Sequence, residues 1–105
     1  MEQTDKLQQL RKGLLEVVLL KIINKEKVYV ADMLAKLAET EFQTQEGTLY
    51  PLLSRLRRES LLDYEWIESE SGPPRKYYSL TDKGRKEMQR LEHYLKHIIT
   101  SINSL

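Results

Sequence analysis

The sequence contains no cysteine, so disulfide bonds, thiolate metal sites and cysteine nucleophiles are excluded. It also lacks a long apolar run, because the densest apolar stretch, Leu14 to Ile23, is interrupted by Glu16 and Lys21. A bilayer-spanning helix needs about 20 residues, and the N-terminal residues lack the basic-then-apolar order of a signal peptide. We therefore expect a cytoplasmic protein with no membrane partner.

The patterns that mark catalysis are missing as well. The chain has neither a glycine-rich phosphate loop nor a nucleophile elbow. Its two histidines, His93 and His97, lie four residues apart, a spacing that suits a shared metal ion, but no further set of ligands accompanies them. The sequence therefore predicts a protein that is not an enzyme and that holds no metal and no cofactor.

Chain length and charge limit the number of domains and the kinds of partner to be expected. The 105 residues suit one compact domain, and 40% hydrophobic with 31% charged residues is typical of a folded globular chain. The formal net charge of +1 does not by itself indicate nucleic acid. Any case for that partner therefore depends on where the charges lie.

Apolar residues at helical spacing predict three helices before residue 60. These helices run from Leu7 to about Asn24, from Tyr29 to Glu39 and from Gln45 to Glu59. Thr44 is a suitable N-cap for the third helix. Pro51 leaves two alternatives, since a proline past the first turn removes a backbone hydrogen bond. The third helix either begins later, near Gly47, or bends at Pro51.

A β-hairpin and a long helix are predicted to follow. Apolar and polar residues alternate over Leu62–Glu68, Ser69–Pro74 has turn residues, and Tyr77–Leu80 can return as the partner strand. Thr81 is expected to cap a final helix from Asp82 to about Ser104. The predicted fold is mainly α with a small antiparallel β-hairpin, that is, a winged helix-turn-helix plus a long C-terminal dimerisation helix.

This element order divides the chain by expected role. We expect the winged helix-turn-helix, with its N-terminal helix, to occupy residues 1–81. The dimerisation helix then occupies residues 82–105, and both parts belong to one compact domain.

The third helix suits the role of a recognition helix, the element of a helix-turn-helix that enters the major groove. Its leucines share one face, which leaves the opposite face for a duplex. That opposite face carries Gly47, Pro51, Ser54 and Arg58. Gly47 and Ser54 allow close approach, and the hydroxyls of Thr48 and Ser54 can bond to phosphates or bases. A cluster of arginines adds positive charge, namely Arg55, Arg57 and Arg58. The alternative is that the arginines are ordinary solvated helix charges, but Arg75 and Lys76 at the hairpin tip favour DNA binding.

Two blocks of sequence together resemble the PadR family of bacterial transcriptional regulators. GTLYPLLSRL (Gly47–Leu56) and GPPRKYYSLTDKG (Gly72–Gly84) occur in the order and at the spacing of that family, and KGLLE (Lys12–Glu16) is similar to its first helix. The short chain with a single C-terminal helix resembles the compact branch. The resemblance implies a winged-helix fold, DNA binding as a dimer, and repression that a small-molecule effector relieves.

The resemblance also implies roles for individual residues. It places Thr48 and Tyr50 at recognition-helix positions that meet the DNA backbone, Arg75 and Lys76 in the basic wing, and Tyr77 and Tyr78 as its supporting pair. For Tyr50 and Tyr78, core packing is the alternative. The predicted DNA-contacting residues are Thr44, Gly47, Thr48, Tyr50, Ser54, Arg55, Arg58, Arg75, Lys76 and Tyr77.

Two departures from the family pattern limit what the resemblance implies. The second helix of the family usually opens with Tyr-Gly-Tyr, where this chain has Tyr29-Val30-Ala31. Some short members stack planar drugs on a tryptophan of the C-terminal helix, but Trp66 lies on the first predicted strand of the hairpin. A drug-sensing role is therefore not carried over.

The closing helix carries an apolar seam, Met88, Leu91, Leu95, Ile98, Ile102 and Leu105, with the spacing of a helix-pairing stripe. Burying six such side chains represents about 10 kcal/mol. A domain this small cannot cover a helix of about 34 Å, so a second copy is the expected cover, the alternative being that the seam lies on its own domain. The predicted interface residues are Leu7, Leu10, Met88, Leu91, Leu95, Ile98 and Ile102.

The sequence therefore predicts sequence-specific binding of double-stranded DNA by a homodimeric regulator, a repressor that responds to a small-molecule effector. A two-fold dimer predicts a palindromic operator with half-sites about 10 bp, or a multiple of that, apart. The competing hypothesis is a winged-helix module for protein–protein or small-ligand binding that does not bind an operator. Removing the charges of Arg58 and Lys76 discriminates the two, since only DNA binding depends on them.

Overall fold

The computed structural model of the protein describes residues 5–105. Its elements are α1 (Asp5–Lys25), α2 (Val30–Ala38), α3 (Glu46–Arg58), β1 (Leu62–Ser69), β2 (Gly72–Leu80) and α4 (Asp82–Asn103). The predicted fold, mainly α with one antiparallel hairpin, is confirmed. The predicted DNA-binding region begins at residue 1, and its first four residues lie outside the described residues. Within the described part, no helix is both long and apolar enough to cross a membrane.

One hydrophobic core joins all six elements. The helices α2, α3 and α4 each turn an apolar stripe inward, whereas α1 is buried on more than one side. The hairpin contributes residues from one face. The buried members include Leu19, Leu20, Ile23, Met33, Leu37, Leu49, Leu53, Leu56, Leu62, Tyr78, Leu80 and Met88. Because the buried leucines of α3 follow one another at intervals of four and three residues, the opposite side of that helix remains exposed.

The start of α3 differs from the prediction. The helix begins at Glu46, and its N-cap is Gln45, whose side chain makes no capping hydrogen bond. The prediction that Thr44 caps the helix is wrong, because the Thr44 hydroxyl donates instead to the Phe42 carbonyl at 2.8 Å. This bond closes the turn that precedes α3.

The helix continues through Pro51 to Arg58. Pro51 has no N–H for the carbonyl of Gly47, four residues earlier in the helix. Both residues are exposed, so water can satisfy that carbonyl.

The hairpin, here called the wing (β1 and β2), is longer than predicted. Leu62 pairs with Leu80, and Trp66 pairs with Lys76. The second strand begins at Gly72 rather than at Tyr77, so the two prolines and Arg75 belong to a strand and not to a loop. The turn is correspondingly short, with an irregularity in the register between Ile67 and Ser69, and Gly72 adopts a φ of 139°, which favours glycine.

The segment before α2 is attached to the outer edge of the wing. Val28 and Tyr78 exchange both backbone hydrogen bonds, at 2.8 and 3.2 Å. The helix-turn-helix and the wing are therefore joined through backbone as well as through the core.

The first turns of α4 pack on the body of the protein. Thr81 caps the helix, as predicted, by accepting a hydrogen bond from the Gly84 amide at 2.9 Å. Met88 is only 6% exposed and belongs to the core of its own chain. The prediction of Met88 as an interface residue is therefore corrected, because the seam leaves the body only after this turn.

Candidate nucleic-acid interface

The exposed side of α3 carries a narrow outer stripe formed by Gly47, Pro51, Ser54 and Arg58. These residues recur at intervals of three and four, so they project from the same side of the helix, and all four are exposed. The side chains of Gly47, Pro51 and Ser54 are small and project little from the helix, and Arg58 places a charge at its C-terminal end. A helix surface with small side chains, one hydroxyl and one cation can approach closely to a DNA groove lined by phosphates.

One flank of α3 faces α1 and holds Arg55 in ion pairs. The Arg55 guanidinium donates to Glu16 at 2.7 Å and lies 3.8 Å from Glu59. The sequence predicted Arg55 as a DNA contact, and the structure places this charge against acidic partners instead of on the outer stripe. The sequence could not reveal this, because the partner residue lies on a distant helix.

Thr48 lies on the same flank as Arg55, at the other end of α3. With Thr44, it lines an open hollow of about 470 Å³ between the start of α1 and the segment that leads into α3. Lys12 and Gln45 are further lining residues. The two predicted threonine contacts therefore lie together, but beside the outer stripe rather than on it.

The other flank of α3 faces the wing. The Arg57 Cζ lies 4.5 Å from the centre of the Tyr64 ring, and the Lys76 Nζ lies 4.1 Å from the same centre. The Lys76 Nζ is also 5.6 Å from the centre of the Trp66 ring. We call these four residues, Arg57, Tyr64, Trp66 and Lys76, the wing junction.

The wing junction includes residues absent from the predicted DNA contacts. Arg57 belonged to the cationic cluster noted in the sequence, but not to the predicted contacts. Two signals could have identified the group. About 100° per residue puts Arg57 on the flank opposite Arg55, and the alternation of β1 puts Tyr64 and Trp66 on one face.

The two basic residues of the wing point to opposite faces, as neighbours on a strand must. Lys76 turns toward α3, whereas the Arg75 Cζ lies 4.7 Å from the centre of the Tyr29 ring. The Tyr29 ring in turn packs against Tyr77, with ring centres 5.2 Å apart. Tyr77 was predicted as a DNA contact, and in the structure it is half-buried against the Tyr29 ring.

The tyrosines at the base of the wing separate into one core residue and one surface residue. Tyr78 is buried, as the core-packing alternative expects, and burial raises the pKa of its hydroxyl above the usual 10.0. The hydroxyls of Tyr50 and Tyr64 raise that pKa further. Tyr50 itself is 47% exposed at the edge of the outer stripe, so it is available for contact with a partner.

Positive charge on this side of the molecule is not neutralised. Several other cations are paired, for example Lys21 with Glu92 and Lys27 with Glu65. Within residues 5–105, no carboxylate lies within 4.0 Å of the cations at the outer stripe and on the wing. These unpaired cations are Arg57, Arg58, Arg75 and Lys76. A chain of net charge +1 thus has a local basic surface.

The distal half of α4 forms a second surface, of apolar character. Leu91 is partly buried against the core, whereas Ile102 is 58% exposed. Between α1 and α4 lies a groove of about 230 Å³. It is lined by Gly13, Leu14, Glu16, Val17, Leu91, Tyr94, Leu95 and Ile98. The predicted interface residues Leu7 and Leu10 of α1 are also exposed.

His93 and His97 lie exposed on α4. Among the residues that the structure describes, no three histidine or carboxylate side chains are grouped as metal ligands. Neither histidine belongs to the outer stripe or to the wing junction.

Comparison with known proteins gives consistent matches. The model of the transcriptional regulator PadR-like family matches residues 19–90. A PadR-like transcription factor structure from Bacteroides fragilis is 44% identical, covers 96% of this chain and 98% of its own, and has a TM-score of 0.81. A PadR-like transcriptional regulator from Bacillus cereus is 37% identical (91% and 94% covered, TM-score 0.83). One from Eggerthella lenta is 30% identical (94% and 87% covered, TM-score 0.87).

Proposed function

The chain belongs to the PadR-like family of transcriptional regulators, and from this premise we propose that it binds double-stranded DNA sequence-specifically as a homodimer. Membership agrees with the resemblance noted in the sequence, and with the prediction that the chain is not an enzyme. One observation carries the proposal: Arg57, Arg58, Arg75 and Lys76, gathered on α3 and the wing, have no ion-pair partner among residues 5–105.

In the proposed complex, α3 enters the major groove with its outer stripe toward the base edges. Ser54 and Arg58 supply hydrogen-bond donors there, and Gly47 permits close approach of the helix. We expect Thr44, Thr48 and Tyr50, which lie beside the stripe, to contact the sugar-phosphate backbone.

The wing is expected to contact the adjacent DNA backbone. Lys76 lies on one face of the wing, and Arg75, supported by Tyr77, lies on the other. Arg55 contributes only if it leaves Glu16.

We assign pairing of two chains to residues 82–105 and DNA binding to residues 1–81. The distal part of the apolar seam supports this division, since Leu95 and Ile98 are half-buried and Ile102 is exposed. Such a stripe is stabilised when a second copy covers it. Leu7 and Leu10 are positioned to extend the interface. A two-fold dimer presents two copies of α3, which fits a palindromic operator with half-sites about 10 bp, or a multiple, apart.

The proposed dimer also suggests how the protein regulates. Occupying an operator blocks transcription without any further contact surface, so we propose that the protein is a repressor that acts on DNA in the cytoplasm. Three residues of the seam, Leu91, Leu95 and Ile98, line the groove between α1 and α4. A small-molecule effector bound there would change the angle between the paired helices, and with it the spacing of the two α3 helices.

A gel-shift assay against fragments of the source genome tests DNA binding. The wild type is compared with the Arg58→Ala/Lys76→Ala variant over a range of salt concentrations. We expect a large loss of affinity, and a plot of log K against log salt that is shallower by about 0.9 for each phosphate contact removed. The matched control, Lys86→Ala/Lys96→Ala, removes two exposed charges from α4 and should bind as the wild type does.

Two outcomes would contradict the proposal. One is a wild type that retards none of the fragments at low salt. The other is a variant lacking Arg58 and Lys76 that binds with unchanged affinity, which would indicate a winged-helix module for protein or small-ligand partners.

A further inference from the structure

The wing junction holds two cations against one aromatic ring. The Arg57 guanidinium reaches Tyr64 from α3, and the Lys76 ammonium reaches it from β2, at 4.5 and 4.1 Å from the ring centre. Cations are attracted to the face of a ring at these distances. Two positive groups are therefore brought together at the point where the recognition helix meets the wing.

No anion of the described chain balances this pair. Neither Arg57 nor Lys76 has a carboxylate within 4.0 Å among residues 5–105. Two unneutralised like charges near one ring raise the local positive potential, and an external anion bound beside them would be attracted to both. The junction therefore favours an anionic ligand.

Trp66 has an unusual environment for its residue type. It is 64% exposed, although tryptophan is usually well covered. Its ring meets Tyr64 edge-on, with centres 6.4 Å apart and planes at 86°, and it lies directly opposite Lys76 in the strand register. The exposed indole therefore packs beside the Lys76 side chain and restricts where its ammonium group can lie.

We propose that the wing junction is a site for one backbone phosphate of the bound duplex, with Arg57 and Lys76 as its ligands and Tyr64 and Trp66 as positioning residues. A lysine side chain that already lies along two rings loses less rotamer freedom when it binds than a free one does. The position between α3 and the wing is where one strand of the duplex passes if α3 occupies the major groove. The inference rests on the proposed function.

Binding of a fluorescently labelled, mixed-sequence 30-bp duplex at low salt, followed in every variant by the anisotropy of the label, tests the site without knowledge of the operator. Because Trp66 is the only tryptophan, its fluorescence is expected to change when the duplex binds. Arg57→Ala should make the salt dependence shallower by about 0.9 in log K against log salt, the value for one phosphate. Trp66→Ala should weaken binding about two- to fivefold, and Trp66→Phe, which keeps a ring, should restore most of it.

A double-mutant cycle separates positioning from general structural damage. In the Lys76→Ala background, Trp66→Ala should cause no further loss, since the side chain that it positions is already gone. The matched control is Ile67→Ala, on the neighbouring, opposite-facing position of β1, which should leave binding unchanged. Circular dichroism should show the same helix content in every variant, because Trp66 lies outside the core.

The possible results separate the two proposals. A wild type that binds no duplex overturns both. A wild type that binds, with an unchanged salt slope in Arg57→Ala and equal losses from Trp66→Ala in both backgrounds, overturns the phosphate site alone. A loss in Trp66→Ala that persists without Lys76 would indicate direct stacking of the indole on the nucleic acid, and would also overturn it.

Discussion

Gly84 lies where two segments of the backbone approach each other closely. It lies buried in the first turn of α4, where an added Cβ would be 2.1 Å from the Leu61 carbonyl oxygen and 3.1 Å from the carbonyl carbon. Both atoms belong to backbone, so they cannot move aside as the end of a flexible side chain could. The absence of a side chain at Gly84 therefore allows α4 to pack closely against the backbone of Leu61, between α3 and β1.

The Gly84→Ala variant should lower the free energy of unfolding by about 2–3 kcal/mol, the cost of overpacking a tight contact. Alanine's better helix propensity, worth about 1 kcal/mol, would otherwise predict a gain. Urea unfolding followed by circular dichroism measures the change. Gly13→Ala is the control, since no atom lies within 4 Å of a Cβ added in the middle of α1. Equal changes in the two variants would contradict the close-contact explanation.

Gly47 allows folding and binding to be separated at a single residue. An added Cβ there also meets nothing within 4 Å, so Gly47→Ala should raise the free energy of unfolding by about 0.5–1 kcal/mol. The same methyl group would project from the outer stripe of α3 toward the duplex. We expect several-fold weaker duplex binding by a more stable protein. If affinity is unchanged in a gel shift, the outer stripe does not approach DNA closely.

At the scale of elements, apolar residues at helical spacing identified the four helices, because each helix buries part of its surface in the protein. The wing was harder to predict. The run from Ser69 to Pro74 has the composition of a turn, yet β2 begins at Gly72. Proline has no backbone N–H to donate to a neighbouring strand. It is tolerated at the end of a two-stranded sheet because few backbone hydrogen bonds between strands are needed there. Composition therefore indicated a loop in a segment that the chain uses as strand.

Side-chain partners across elements could not be predicted from local pattern. The sequence shows a run of arginines near the end of α3. It does not show which of them contacts α1 and which contacts the wing. Glu16 engages Arg55, whereas Tyr64 receives Arg57. Helical geometry puts these arginines on opposite flanks, and only the packing of neighbouring helices decides what each flank meets.

The contact between α1 and α4 has an electrostatic component that depends on pH. Lys21 of α1 donates to Glu92 of α4, and this hydrogen bond holds the pKa of Glu92 below its usual 4.5. A carboxylate with a lowered pKa in the folded state stabilises the fold above its unfolded pKa. That contribution is lost as the pH falls through the folded value.

The Glu92→Gln variant should therefore lose less stability than the wild type as the pH falls through and below 4.5, the usual pKa of this group. At neutral pH it should be the less stable of the two. Thermal unfolding across this range checks both signs. Glu26→Gln, at an exposed carboxylate without an ion pair in the described part of the chain, should follow the wild-type profile. A parallel profile for Glu92→Gln would show that this ion pair does not link α1 and α4.

At the scale of the whole molecule, the two surfaces lie on different elements. The basic surface belongs to α3 and the wing, and the apolar surface belongs to the distal half of α4. Along α4 the seam changes from buried to exposed, from 6% at Met88 to 58% at Ile102. The spacing in the sequence is regular throughout, so it could not show at which turn the helix leaves its own body. The structure shows that Leu95 and Ile98 are still half-buried and line the groove beside α1, and that the seam is open to solvent at Ile102.

This gradient makes the assembly testable with a matched pair of charge insertions. Ile98→Glu/Ile102→Glu puts two carboxylates on the seam, whereas Thr100→Glu/Ser104→Glu puts two on the opposite side of the same turns. We expect the wild type and the Thr100/Ser104 variant to sediment at twice the 12.4 kDa of one chain, and the seam variant at the mass of one chain.

The proposed dimer should also be detectable in unfolding and in DNA binding. The Tm of the wild type should rise with protein concentration, because pairing stabilises the folded state by mass action. The Tm of the seam variant should not depend on concentration. On a palindromic site, the seam variant should protect half-sites independently and with lower affinity, since each chain then binds without the other. A seam variant that still sediments as a dimer would place the contact between chains elsewhere, and α4 could no longer set the spacing of the two recognition helices.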